Sequence, residues 1–174
     1  STPQSFIEQL MIREAQRGHV LVRLKGGDPF IFGRGGEECF ALAAAGISVQ
    51  VINGITAGLA APSGLGIPLT HRAACRGVAF VTGHTQNGAA VDWRALADSG
   101  LTLVIYMGMA NFAAITDELA AAGMAKSMPV AVIHNATLPS QRTLVTTLGD
   151  AAARIAQEGL GSPSIVVVGE VVTH

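Results

Sequence analysis

Charged side chains are scarce: they make up 13% of the 174 residues, and the formal net charge is -1. A chain so nearly neutral has no general attraction for nucleic acid or for acidic membrane surfaces, so any basic character must be local to a cleft. Cysteine is scarcer still. Cys39 and Cys75 lack metal-ligand spacing, and nothing indicates a disulfide framework or an oxidising compartment. The five histidines, His19, His71, His84, His134 and His174, show no i,i+4 pairing, so no metal site is expected. No charge at all occurs from Cys39 to Thr70, yet this is not a membrane span. Gly46, Gly54, Gly58, Gly64 and Gly66, with Pro62 and Pro68, break it into short elements. No signal peptide, repeat or low-complexity segment is found, and the expectation is a cytoplasmic, packed globular protein, 49% apolar.

What is abundant is glycine, concentrated in Val22–Glu38, VRLKGGDPFIFGRGGEE. This stretch follows an apolar run with strand character and precedes a helix-like run. Glycine permits positive φ and lets main chain approach a ligand closely, so the loop is built around its own amides. The carboxyl end of a strand is where an open α/β sheet holds a small ligand. The plainer reading is a tight strand-to-helix connection, with Asp28 a turn residue before Pro29. No Gly-Lys-Ser/Thr follows, which excludes a P-loop, and no G-x-G-x-x-G opens the helix, which excludes a dinucleotide fingerprint.

Periodicity predicts a helix over residues 4–17 closed by Gly18, a strand over 19–24, a helix over 35–45 and a second strand over 47–52. Strand, helix and strand make a βαβ unit with a right-handed crossover. Two parallel strands alone do not make a stable sheet, so the pattern implies further strands upstream or from another chain. After Asn53-Gly54 a second domain is expected, giving domains 1–53 and 54–174. Its expected elements are a small-residue helix from Thr56 to about residue 65, strands at 77–82, 101–107, 130–134 and 164–172, and an extended segment at 142–147. Helices are expected at 93–98, 112–122 and 149–158. The sum is a mixed α/β sheet of about five strands.

Leu24–Glu38 resembles the signature of the uroporphyrinogen-III C-methyltransferases within the wider tetrapyrrole methylases. Gly54-Ile55-Thr56-Ala57, Gly66-Ile67-Pro68-Leu69-Thr70-His71-Arg72, Val81-Thr82-Gly83-His84, Tyr106-Met107-Gly108 and Ser162-Pro163 are similar to later blocks of that family, in the same order. The resemblance implies a tetrapyrrole-methylase fold, two α/β domains with a cleft between them, the first incomplete. Family members open with a glycine-rich strand and loop that nothing here matches, which implies an amino-terminal truncation and a chain that alone does not methylate.

The implied activity is S-adenosylmethionine-dependent C-methylation of uroporphyrinogen III at carbons 2 and 7, giving precorrin-2 for sirohaem and cobalamin, in a homodimer. The alternatives are a methylase of a later corrinoid intermediate and a non-catalytic cofactor-binding fragment. Contact with S-adenosyl-L-methionine is implied for Gly26, Gly27, Asp28, Ile31, Thr56, Ala57, Met107 and Ala136. Relatives commonly carry glycine at the last of these and proline where Asn53 stands. On residue type alone Met107 reads as core. Arg34, His71 and Arg72 are candidates for the eight substrate carboxylates, since an arginine fork binds a carboxylate in bidentate fashion; otherwise the arginines are ordinary surface residues. The family's acid and base have no counterpart here, so no catalytic residue is assigned.

Overall fold

The computed structural model describes residues 2–84 and 91–174. The chain divides into two compact units, Ser1–Thr56 and Ala57–His174.

The first unit is helical where helices are expected. Helix α1 (Gln4–Gln16) is closed by Gly18 and packs on α2 (Gly35–Ala44), burying Met11 and Leu42. The two expected strands, 19–24 and 47–52, do not form: both segments lack ladder partners among the described residues. Val20, Val22 and Leu24 are 96%, 85% and 84% exposed, and Ile52 is also exposed. The physical reason is that β-branched residues favour an extended backbone, but a strand exists only where a neighbour takes its N–H and C=O groups.

The second unit is built on one five-stranded sheet, in the order β1-β2-β5-β3-β4. Its strands are β1 (Val78–Thr82), β2 (Thr102–Tyr106), β3 (Pro129–His134), β4 (Arg142–Thr147) and β5 (Ser164–Val168). β1 and β2 are parallel, whereas β5 runs antiparallel to both β2 and β3, and β4 is antiparallel to β3. β1, β2 and β3 therefore all point their carboxyl ends toward one edge of the sheet. The last strand is shorter than its apolar pattern predicts. Gly169, at φ 153°, breaks it, and Glu170–Thr173 forms a 3-10 turn.

Alternation along the strands sorts the core. Leu103, Ile105, Val130, Val132, Val166 and Val168 face α5 (Phe112–Ala121) and α6 (Leu148–Glu158), meeting Ile115, Leu119, Leu148 and Ala151. Each such aliphatic side chain contributes about 1.5–3 kcal/mol when fully buried, so this layer dominates the unit's stability. Helix α3 (Ala57–Ser63) packs on β2 and β5, and α4 (Trp93–Asp98) on α5. The Asp92 carboxylate caps α4 by accepting from Ala95 N at 2.9 Å.

Candidate functional site

In the first unit the glycine-rich stretch is a loop closed on itself. The Pro29 carbonyl accepts from Gly35 N at 2.9 Å. A Cβ placed on Gly33 or Gly35 would lie 2.7 or 2.5 Å from that same oxygen, so only glycine allows the closure. Asp28 is a turn residue: its Oδ1 accepts from Phe30 N at 2.9 Å and its Oδ2 from Gly54 N at 3.4 Å. Gly27 sits at φ 130°, while a Cβ on Gly26 would meet open space. Main chain at this corner is thus open to approach, as a small ligand held by backbone amides requires.

Beneath the loop lies a charge cluster that residue-by-residue reading missed. Glu38, on the first turns of α2, is 5% exposed. Its Oε1 accepts from Gln4 Nε2 at 3.1 Å and from Arg23 Nη2 at 3.1 Å, and its Oε2 accepts from Lys25 Nζ at 3.2 Å. Burial pushes its pKa up, but the bonds from Gln4 and Lys25 and the charges of Lys25 and Arg23 outweigh burial and hold it below the usual range. Arg34 points elsewhere. It caps α2 from a left-handed backbone at φ 57° and pairs on the surface with Glu37, Nε to Oε1 at 3.1 Å. Such an exposed pair contributes little to stability, which leaves the guanidinium free to exchange Glu37 for another carboxylate.

In the second unit the shared carboxyl edge of β1, β2 and β3 carries the other candidates. Met107 directly follows β2, is 51% exposed and adopts φ 53°. Asn135 and Thr137, at φ 48° and 69°, flank Ala136 directly after β3. Left-handed non-glycine residues cost of order 1–3 kcal/mol each and cluster where function holds the backbone in place. Ala136 itself lies outside the left-handed region, so glycine is not needed there on backbone grounds. Met107 is not core, contrary to the reading from residue type alone. Tyr106, the one tyrosine of the chain, accepts from Gly58 N at 2.7 Å and so fixes the start of α3, where Ala57 is exposed, to the end of β2. Thr56 is buried just before that helix.

His71 and Arg72 are exposed residues of a tight turn. His71 O accepts from Ala74 N and Cys75 N, and the His71 ring stacks on that of His174, centroids 4.8 Å apart. Arg72, Cys75 and Arg76 line one open hollow beside them. The candidates therefore fall in separate places: Gly26, Gly27, Asp28, Ile31, Arg34 and Thr56 in the first unit, and Ala57, His71, Arg72, Met107 and Ala136 in the second. Within the second, Met107 and Ala136 share the sheet edge and Tyr106 ties the start of α3 to it. Among the described residues no group of three or more His, Cys, Asp or Glu side chains could hold a metal ion. No described helix is long and apolar enough to cross a membrane.

An α/β unit with a strained loop edge, joined to a glycine-rich loop of this form, belongs to a known class. The profile of the tetrapyrrole (corrin/porphyrin) methylases matches residues 1–152, and the chain belongs to that family. A uroporphyrinogen-III C-methyltransferase of Pseudomonas aeruginosa is 53% identical over 171 residues, covering 98% of this chain and 70% of that protein. A siroheme synthase of Klebsiella pneumoniae is 48% identical over 170 residues, which is 98% of this chain and 37% of that longer protein. The crystal structure of a uroporphyrin-III C-methyltransferase from Thermus thermophilus, complexed with S-adenosylhomocysteine, superposes with a TM-score of 0.82 at 37% identity. It covers 98% of this chain and 74% of that one.

Proposed function

We propose that this chain carries the methyl-donor and substrate residues of an S-adenosylmethionine-dependent C-methyltransferase acting on uroporphyrinogen III at carbons 2 and 7, in the formation of precorrin-2. The observation that carries the reading is its 37% identity, over 98% of its length, to a methyltransferase of that name complexed with S-adenosylhomocysteine. The 53% identity to the Pseudomonas aeruginosa relative supports the same substrate. The reading includes a homodimer working in the cytoplasm.

The residues fit the donor. Gly26 and Gly27 offer exposed or half-exposed main chain, Asp28 holds the turn that presents it, and Ile31 supplies an apolar side chain nearby. Thr56, Ala57, Met107 and Ala136 are the contacts proposed on the other elements, Met107 at left-handed backbone and Ala57 at the start of α3. S-adenosylmethionine supplies an electrophilic methyl group, and the chain's task is to hold donor and acceptor in line, where most of the rate gain of such a transfer arises. Arg34, His71 and Arg72 are the proposed partners of substrate carboxylates.

The test is calorimetry with S-adenosylhomocysteine on the protein and on Gly27→Val. A β-branched side chain at φ 130° strains the backbone beside Gly26, so binding should be lost. Binding retained within a few-fold would remove this loop from the donor site.

A further inference from the structure

The charge cluster under the glycine-rich loop does more than join two helices. Lys25 and Gly33 stand at the two ends of the segment that carries Gly26, Gly27, Asp28 and Ile31. The Lys25 ammonium donates a hydrogen bond to the Gly33 carbonyl and, with the same group, reaches Glu38 Oε1 at 3.3 Å and Oε2 at 3.2 Å. Arg23, two residues before, donates from Nε at 3.3 Å and from Nη2 at 3.1 Å to Glu38 Oε1. The entrance and exit of the loop are thereby tied to one carboxylate, which is itself fixed in the first turns of α2.

The burial of the group shows what the arrangement costs. Taking a carboxylate out of water is unfavourable unless it is paired and fully hydrogen-bonded. Glu38 is 5% exposed and the Lys25 side chain 16% exposed, so the pair is shielded from the solvent that weakens a surface bridge. A neutral, apolar contact would join α1 and α2 more cheaply. A lysine that bridges a carboxylate to a loop carbonyl instead specifies a loop shape, because the ammonium has three donors and both acceptors sit at fixed places.

We propose that Lys25 and Glu38 are positioning residues for methyl-donor binding: the ammonium clamps the Gly33 carbonyl to the Glu38 carboxylate and holds the 26–33 loop in the conformation that presents its main chain. The inference rests on the donor role proposed above for that loop. Neither side chain needs to touch the donor. Gln4 serves as an internal control, since it bonds Glu38 at 3.1 Å from α1 and, among the described residues, makes no hydrogen bond to the loop.

The experiment compares Lys25→Met, Lys25→Arg and Gln4→Ala in the full chain, by calorimetry with S-adenosylhomocysteine and by denaturant unfolding. Lys25→Met leaves Arg23 and Gln4 on Glu38, and should weaken binding about ten-fold or more, as expected for loss of a hydrogen bond to a charged group. Lys25→Arg, which can still reach both acceptors, should recover most of the affinity. Gln4→Ala should lower stability and leave the dissociation constant within about two-fold. Unchanged affinity in Lys25→Met, or affinity losses in Lys25→Met and Gln4→Ala that merely track their losses of stability, would overturn the proposal. If Lys25→Met does not fold, Lys25→Arg decides: affinity well below that of Gln4→Ala at equal stability contradicts the clamp. Failure of the unaltered protein to bind would instead overturn the donor role itself.

Discussion

Single atoms decide several features of this protein, and Gly58 is the clearest. A Cβ there would lie 2.3 Å from the Tyr106 hydroxyl oxygen and 2.8 Å from its ring. Two effects compete on Gly58→Ala. Alanine is the better helix former by about 1 kcal/mol, whereas forcing a methyl into a packed contact costs about 1–3 kcal/mol and displaces the bond to Gly58 N, another ~1 kcal/mol. Packing wins, so Gly58→Ala should lower the unfolding free energy by about 1–3 kcal/mol. Urea unfolding measures it; a more stable variant would mean that Tyr106 moves aside freely and does not fix the start of α3. At this scale the sequence was readable where a residue type has few uses. The glycines of the 26–36 stretch were read as a loop, with Asp28 as a turn residue before Pro29 the plainer alternative, and the Asp28 carboxylate does hold a turn. Tyr106 and Glu38 were not readable, because their roles depend on partners 48 and 34 residues away in the chain.

The elements divide by whether they have neighbours. β2, β3 and β5 are apolar runs whose amides pair on both sides; β2 and β3 were legible to within a residue, as was the start of β5. Segments 19–24 and 47–52 are also rich in Val, Leu and Ile but have no ladder among the described residues, since propensity records what a backbone tolerates and not who bonds to it. The terminal strand was over-read for a different reason: Val171 and Val172 are buried, but in a 3-10 turn beyond Gly169. Native-state hydrogen exchange should separate these cases. Amides of Leu103–Ile105, Val130–Ile133 and Val166–Val168 should exchange only with global unfolding, and those of residues 19–24 and 47–52 by local fluctuation. Equal protection of 19–24 would show that this segment finds a strand partner in solution.

At the scale of the whole molecule, the chain belongs to the tetrapyrrole methylases and spans 70% of the Pseudomonas aeruginosa methyltransferase and 37% of the Klebsiella pneumoniae siroheme synthase. A change of domain was expected after Asn53-Gly54, and the chain divides into compact units at Ser1–Thr56 and Ala57–His174. Substrate choice was legible only through resemblance. Arg34 and Arg72 are exposed, and nothing in their own geometry selects one polycarboxylate over another. The most direct measurement is therefore transfer of labelled methyl groups from S-adenosylmethionine to uroporphyrinogen III by the protein at its natural length, with Gly27→Val as control. Two labels are expected on the product, at carbons 2 and 7, and none with the variant. No label on uroporphyrinogen III while the donor still binds would contradict the proposed reaction.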